Sequence, residues 1–533
     1  MFDYIIIGGG SAGCAMANRL TEMADVQVLL LEAGPTDRNR FIHMPVGFYK
    51  MTAGPLTWGY KTEPLAQGDG REMVYPQGRV IGGSSSINAM VFTRGNRYDY
   101  DTWAKDEGCT GWAYDDVLPY FRRSEDNERY SNDYHGVGGP LGVSDQISPH
   151  YLTKAFVRAA QEAGIPHNPD FNGARQEGCG IYQVTQRNAR RCSTAVGYLR
   201  PAMQRPNLTV RTDCQVSRIV VENGRAVGVE FGQRGGTSSL VRAEREVIVA
   251  AGAIGSPKLL MLSGIGPADE LKQVGVTPVH DLPGVGRNLQ DHVDIYQIAQ
   301  LNGPHSYDKH TRWHRQLAAG LQWMLFGSGP VTSNLAEGGV FWWADKDEPA
   351  PDIQMHFLPG AGLEAGVPPV DGYGCTLNSC HLRPRSRGTV KLRSANPADA
   401  PRVDPNFWAE EYDREMSLRG FELTREIMAQ PALRKYVRGE HFPGPEARTR
   451  EQLMAYARKY AKTDYHPVGT CKMGVDAMAV VDPQLRVRGL EGLRVCDSSI
   501  MPRLISSNTN AASIMIGEKA SDLIRGNRVA AAA

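Results

Sequence analysis

A glycine-rich turn near the start of the chain has the spacing of a dinucleotide-binding motif. Gly8, Gly10 and Gly13 follow a short apolar run at residues 4–7, and Glu32 ends the next apolar run. One glycine permits a tight turn, one lets the backbone approach a pyrophosphate, and one lets a helix pack on a strand. The N-terminus of that helix would attract phosphate groups. Glu32 can accept hydrogen bonds from a ribose and would repel a 2′-phosphate, so the motif predicts FAD or NAD and disfavours NADP.

Two longer segments decide between these cofactors. Residues 78–88 read Gly-Arg-Val-Ile-Gly-Gly-Ser-Ser-Ser-Ile-Asn, and residues 252–266 begin Gly-Ala and end Ser-Gly-Ile-Gly. Together they resemble the signature patterns of the glucose-methanol-choline (GMC) flavoprotein oxidoreductases. The resemblance runs over nearly the whole chain, and residues 465–474 are most similar to the bacterial FAD-dependent alcohol and choline dehydrogenases. It implies FAD as the cofactor.

The resemblance also implies which residues contact FAD. Besides the three glycines, the expected contacts are Glu32, Ala33, Gly83, Asn88, Val91, Val216, Asp497, Asn508 and Thr509. Some members of the family attach FAD covalently through a histidine two residues after the second serine of the 78–88 segment. This chain has Ile87 at that position. Non-covalent FAD is therefore expected.

His466 is the predicted catalytic base. It stands in the segment Tyr-His-Pro-Val-Gly-Thr-Cys-Lys-Met-Gly at residues 465–474, which resembles the catalytic segment of the family. When hydride leaves an alcohol carbon, the hydroxyl proton must also leave, and an imidazole suits this task because its pKa lies near working pH. The resemblance implies that Asn510 donates a hydrogen bond to the forming alkoxide. His292 and His356 are expected to be structural.

The chain of 533 residues is too long for one hydrophobic core. The change in composition along the sequence suggests two domains whose segments alternate. Continuous Val, Ile and Leu runs favour a parallel sheet covered on both faces. We therefore predict an α/β fold. A Rossmann-type FAD-binding domain should comprise residues 1–147, 200–292 and 461–527, and an α+β substrate-binding domain should comprise residues 148–199 and 293–460. The aromatic residues after position 313 are expected in the core more often than at the substrate.

The composition argues against several classes of protein. A net charge of +1 provides no field for nucleic acid. Nine cysteines are scattered without zinc-ligand spacing, so neither a metal site nor a disulfide framework is predicted. An apolar run begins almost at residue 1, and none is long enough to cross a bilayer. We expect a cytoplasmic protein, with peripheral association at the inner face of the membrane still compatible with the sequence.

The predicted reaction is oxidation of a small alcohol to an aldehyde or ketone, with hydride transfer to flavin N5. Two alternatives remain open: a lyase that retains FAD, as hydroxynitrile lyases on this fold do, and an alcohol oxidase that uses dioxygen. The electron acceptor is either dioxygen or a quinone-like compound, and a dehydrogenase is favoured. The sequence does not identify the alcohol.

Overall fold

Parallel strands form the centre of the first sheet. The computed structural model describes residues 1–233, 238–361 and 370–526. The parallel strands, in spatial order, are Leu208–Arg211, Val28–Leu31, Phe2–Ile7, Ser238–Val249 and Leu493–Val495. Ile5, Ile6, Leu29 and Leu30 are fully buried, which requires cover on both faces of the sheet. The predicted parallel sheet is present.

An antiparallel extension widens this sheet. Strands Cys214–Glu222 and Arg225–Gln233 form a hairpin, and the second of them pairs with the outer part of Ser238–Val249. Asn223 and Gly224 both have positive φ angles in the connecting turn. Two successive left-handed residues match the right-handed twist of a tight hairpin. These two residues therefore form the turn of the hairpin.

The second sheet is antiparallel. Its order is Val437–Phe442, Val293–Leu301, Gly374–His381, Ile353–Leu358, Gly338–Trp342 and Gly178–Ile181, with Lys462–Thr463 paired to the second of these strands. Met355 and Phe357 point into a core beneath helix Tyr151–Glu162, where Phe156 stacks on Phe357 at 4.7 Å between ring centroids. His356, between them, faces the opposite side and lines a cavity, as the period-two alternation of a strand requires.

The strand Lys462–Thr463 shifts one predicted boundary. It belongs to the second sheet, although the sequence-based division placed residues from 461 onward in the cofactor unit. The chain returns to the first sheet only after this pairing, at Leu493–Val495.

Helices cover both sheets. They are Ser11–Leu20, Arg40–His43, Arg97–Lys105, Tyr114–Ser124, Tyr151–Glu162, Arg200–Ala202, Gly252–Leu262, Ala268–Gln273, Trp313–Phe326, Glu411–Ala429, Pro431–Arg434, Arg450–Tyr460 and Asn510–Arg525. The first and last pack together. Glu518 of the last helix, fully buried, accepts hydrogen bonds from Arg19, Arg123 and Tyr198. Among the described residues, no helix combines the length and apolar character needed to span a bilayer.

Two glycines of the first turn provide a test of the fold. A Cβ at Gly13 would lie 1.9 Å from the carbonyl oxygen of Gly8, whereas a Cβ at Gly10 would meet nothing closer than 4.0 Å. We expect Gly13→Ala to lower the free energy of unfolding by about 2 kcal/mol or more, because backbone must move to make room. The measurement is the urea midpoint of the FAD-free protein. Gly10→Ala is the matched control and should shift the midpoint much less; equal midpoints would contradict this packing.

Candidate active site

One continuous cavity connects the N-terminal glycine turn to the C-terminal histidine segment. At one end it is lined by Gly8, Gly10 and Glu32, and at the other by His466 and Asn508. Residues from both sheets contribute to its wall. The remaining predicted contacts on that wall are Ala33, Gly83, Asn88, Val91, Val216, Asp497, Thr509 and Asn510. Of the predicted site residues, Gly13 alone lies outside the wall, since it packs beneath the turn against Gly8.

The glycine turn leaves room for a phosphate group. Gly8 has a φ of 103°, which favours glycine, and Gly13 packs directly on the Gly8 carbonyl. Gly10 precedes helix Ser11–Leu20 and has no side chain to cap it, and the first turn of that helix contains no acidic residue. The first N–H groups of the helix therefore remain suited to an anion in the cavity.

Two buried carboxylates flank this region, and backbone N–H groups hold both. Glu32 accepts hydrogen bonds from the amides of Gly9 and Gly34, at 2.8 and 2.7 Å. Burial raises the pKa of Glu32 to about 7. Asp497 accepts hydrogen bonds from the Gly252 amide and the Ser256 hydroxyl at the start of helix Gly252–Leu262. The positive end of that helix dipole stabilises the negative charge of Asp497. The carboxylate can therefore lie close to the region that is suited to an anion.

The middle of the cavity is formed by the 78–91 segment. Gly83 has a φ of 54°, and a Cβ there would lie 2.7 Å from the Cα of Gly10, so the two glycines bring their segments into contact. The side-chain oxygen of Asn88 accepts a hydrogen bond from the buried Arg191 at 2.7 Å. Ile87, also on the wall, has no atom that could bond covalently to a cofactor. The structure thus brings these predicted contacts together with the glycine turn.

His466 is fixed by its backbone as well as its ring. Its amide donates to Asp291 at 2.8 Å, and the other carboxylate oxygen of Asp291 accepts hydrogen bonds from Tyr75 and Thr463. Burial raises the pKa of Asp291 to about 7. Sequence reasoning missed Asp291, whose only sign was its place just before His292.

The hydrogen bonds of His292 determine the tautomer of His466. His292 Nε2 lies 3.2 Å from the carbonyl oxygen of Leu382, which can only accept, so Nε2 carries the proton of the neutral ring. His292 Nδ1 then accepts, and its partner at 3.1 Å is Nδ1 of His466. His466 must therefore be protonated on Nδ1, which leaves the lone pair of its Nε2 toward the cavity. His292 is thus more than the structural histidine predicted from sequence.

Asn508, rather than Asn510, meets the histidine. The amide nitrogen of Asn508 lies 3.1 Å from His466 Nε2. The side-chain oxygen of Asn510 instead accepts a hydrogen bond from Ser11, at 2.8 Å, in the glycine turn. The reason is local: helix Asn510–Arg525 begins at Asn510, and Asn508 lies two residues before it. The role predicted for Asn510, donation of a hydrogen bond to the substrate oxygen, stays a prediction.

Two neighbours fix the orientation of the Asn508 amide. Its oxygen accepts hydrogen bonds from Thr93 and from Gln354, both at 3.0 Å. Gln354 Nε2 can only donate, so this side of the Asn508 group must be the oxygen. The NH₂ group is consequently directed toward the imidazole of His466.

Charged groups surround the histidine on the side of the second sheet. An Asp464 carboxylate oxygen lies 3.4 Å from His466 Nδ1, and Nζ of Lys462 lies 2.8 Å from a carboxylate oxygen of Asp294. Burial nevertheless lowers the pKa of His466 to about 3, and the nearby His356 adds to this effect. Burial also raises the pKa of Asp294 to about 6. His466 is therefore neutral at physiological pH, with its Nε2 able to accept a proton.

Side chains of metal-binding type also converge here. The ligand atoms of His292, Asp464 and His466 lie within 4.8 Å of one another, as do those of Asp294, Cys380 and Asp464. In the first group, both Nδ1 atoms are already hydrogen bonded to each other. A metal ion would have to displace the proton that fixes the tautomer of His466.

The comparisons with known proteins agree with this architecture. A family model described as GMC oxidoreductase matches residues 2–294, and its C-terminal counterpart matches residues 384–517. The chain belongs to the GMC oxidoreductase family. GMC oxidoreductases are flavoproteins, so the expected α/β fold and the FAD cofactor are confirmed.

Relatives match over nearly the full length of the chain. An alcohol dehydrogenase [acceptor] of Pseudomonas putida is 43% identical, covering 98% of this chain and 96% of its own. An oxygen-dependent choline dehydrogenase of Sinorhizobium fredii is 45% identical, covering 99% and 96%. Among solved structures, pyridoxine 4-oxidase from Mesorbium loti has a TM-score of 0.89 at 31% identity and covers 99% and 100%. Formate oxidase of Aspergillus oryzae has a TM-score of 0.93 at 26% identity and covers 98% of each chain.

The lowered pKa of His466 provides a test of its burial. The unfolded chain binds this proton near pH 6.5 and the folded chain only near pH 3, so the contribution to stability is complete above pH 6.5 and is lost as the pH falls to 3. In FAD-free protein, we expect the stability difference between wild type and His466→Gln to decrease by about 1.4 kcal/mol per pH unit through this window. Urea unfolding at a series of pH values measures it.

The control is His167→Gln, because His167 lies on the surface. Its stability difference from wild type should stay constant over the same pH range. A constant difference for His466→Gln would show that the imidazole is not held in its neutral form by the fold.

Proposed function

We propose that this GMC oxidoreductase oxidises an alcohol to an aldehyde or ketone, with His466 Nε2 as the acceptor of the hydroxyl proton. The observation that supports the proposal most is the pair of hydrogen bonds on the imidazole. Nδ1 is engaged by His292 on one side, and the Nε2 lone pair faces the cavity beside Asn508 on the other. An imidazole with one lone pair directed into a buried cavity has the geometry that a general base for an alcohol requires.

FAD would be held without a covalent bond along the wall of the cavity. The helix start after Gly10 suits the pyrophosphate and Glu32 suits the ribose, while Val216 lies on the wall that we assign to the adenine. Gly83, Asn88, Val91 and Thr509 are proposed near the isoalloxazine, and Asp497 near the ribityl chain. Bound there, FAD would supply the acceptor for the hydride.

The protein's own groups handle the proton and the developing charge. The alcohol oxygen would replace the Asn508 amide as the partner of Nε2 and give its proton to that nitrogen as the carbonyl forms. The NH₂ group of Asn508, directed by Thr93 and Gln354, would then donate to the same oxygen while it carries negative charge. The imidazolium keeps its Nδ1 proton toward His292, with the Asp464 carboxylate 3.4 Å away to stabilise it.

The cavity wall combines apolar and polar side chains. Phe48, Ile87, Met90 and Leu358 form the apolar part. His356, Asn378 and Asp464 form the polar part. This arrangement favours an alcohol that carries an apolar body with a second polar group. Anaerobic flavin bleaching across aliphatic primary, aromatic, polyether and quaternary-ammonium alcohols would identify the class.

We favour a dehydrogenase that passes electrons to a quinone-like acceptor. The name of the Pseudomonas relative leaves its acceptor unspecified, whereas the Sinorhizobium relative is named as oxygen-dependent. Reoxidation of alcohol-reduced enzyme by dioxygen and by a soluble quinone, compared under identical conditions, tests this choice. Faster reoxidation by dioxygen would indicate an oxidase. An enzyme whose flavin no alcohol bleaches, but which cleaves a cyanohydrin, would instead be a lyase.

Replacement of His466 tests the proposed base. We expect His466→Gln to slow anaerobic flavin reduction by about 100-fold or more, because no group in its place can accept the hydroxyl proton. FAD content, read from the visible spectrum, should stay near wild type because the change lies at the far end of the cavity. A variant that reduces its flavin at the normal rate would exclude His466 from this role.

Asn508 and Asn510 form a natural pair of variants. Asn508→Ala should lower the rate of flavin reduction by about 10- to 100-fold, because it removes a donor to the charged oxygen, while leaving FAD affinity nearly unchanged. Asn510→Ala should chiefly weaken FAD retention, since its partner is Ser11 in the glycine turn. Single-turnover rates and FAD titrations separate the two effects. The reverse result would restore Asn510 as the partner of His466.

A further inference from the structure

Helix Trp313–Phe326 exposes an apolar face to solvent. Five of its large apolar residues, together with the terminal phenylalanine, are 44–76% exposed: Trp313, Leu317, Leu321, Met324, Leu325 and Phe326. At 100° per residue, the first five fall within an arc of about 120°. Monomeric proteins seldom expose a continuous apolar surface of this kind unless it has a binding partner.

The opposite face attaches the helix to the protein. Arg315, Ala319 and Trp323 follow one another at intervals of four on this side, and Ala319 is the residue of the helix that is buried. The indole nitrogen of Trp323 donates to the carbonyl oxygen of Ala189 at 2.8 Å, and Arg190 lies over the Trp323 ring at 4.8 Å. The outward apolar face is thus a fixed feature of the fold.

The charged residues of the helix and of the four residues before it are all cationic. Lys309 and Arg312 lie at the N-terminal end of the helix, and residues 309–336 contain no Asp or Glu. Asp308, just before this run, accepts backbone N–H groups from Ala361 and Gly374 on the protein side. Cations beside a face rich in Trp, Leu and Phe are typical of helices that lie in the interface of an anionic bilayer.

Two turns lie between the helix and the cavity wall. The helix packs on the turn Pro330–Thr332, which packs on the turn Pro45–Lys50. That second turn contributes Phe48 to the cavity wall.

We propose that helix Trp313–Phe326 docks the protein on an anionic lipid bilayer, with its apolar face among the acyl chains and Lys309 and Arg312 among the head groups. The charge pattern favours lipid over a second copy of the chain. A two-fold symmetric dimer would place this patch against itself and bring like charges together. Membrane docking of this kind does not depend on the reaction that the cavity performs.

Cosedimentation of the FAD-loaded, full-length protein with vesicles tests the proposal. The vesicles contain equal parts of phosphatidylglycerol and phosphatidylcholine, or phosphatidylcholine alone. Wild type should bind the anionic vesicles, and a Leu317→Gln/Leu321→Gln/Met324→Gln variant should bind at least 10-fold more weakly. The matched control is Val137→Gln/Met203→Gln/Val475→Gln, which changes three exposed apolar residues elsewhere and should bind as wild type does.

Further measurements distinguish lipid binding from self-association. Lys309→Gln/Arg312→Gln should weaken binding to anionic vesicles and abolish its dependence on salt. Wild type that ignores the vesicles, or helix and control variants that bind equally, would overturn the proposal. A wild-type dimer in sedimentation velocity that the helix variant alone makes monomeric would also overturn it, in favour of self-association. All variants should keep the wild-type melting temperature and FAD content, since none of the changed residues contacts the cavity.

Discussion

The site depends on one directional constraint: a neutral imidazole ring has one nitrogen that donates a hydrogen bond and one that accepts. In this protein a series of hydrogen bonds begins at the carbonyl oxygen of Leu382, which can accept a hydrogen bond but cannot donate one. That single fact assigns the proton of His292, and His292 then assigns the proton of His466. The only remaining lone pair is on His466 Nε2, where the cavity begins. The lone pair of His466 Nε2 is thus directed by the backbone carbonyl group of Leu382, which acts through the ring of His292.

This series can form only because distant parts of the chain meet. Leu382 follows a strand of the second sheet, His292 immediately precedes another, and His466 follows the short strand that pairs with it. Asn508 comes from the segment just before the last helix, which packs on the first helix of the cofactor sheet. The contact between Asn510 and Ser11 joins that segment to the glycine turn. The geometry of the histidine and that of the nucleotide-binding turn are therefore mechanically linked.

Sequence reasoning succeeded where one short segment sets both the residue and its surroundings. The glycine turn is such a case, because spacing alone gives the strand, the turn and the helix N-terminus. It could not reveal a contact that depends on where a helix begins. The last helix begins at Asn510, and Asn508 before it is the residue that contacts His466, while the role of Asn510 toward the substrate oxygen stays a prediction. His292 could not be recognised because its importance comes from Leu382 and His466, both far away in sequence.

The aromatic residues after position 313 show a different limit. Phe341 and Phe357 are fully buried, as the prediction of core positions required, but Phe326 is largely exposed, so that prediction was wrong for it. Hydrophobicity indicates that removal of a side chain from water is favourable. It does not indicate whether the side chain is buried in the core or against another surface. In helix Trp313–Phe326 the one buried residue is Ala319, so folding gains little from the larger apolar side chains. Their presence is accounted for by a surface outside the chain, and the surrounding cations indicate that this surface is negatively charged.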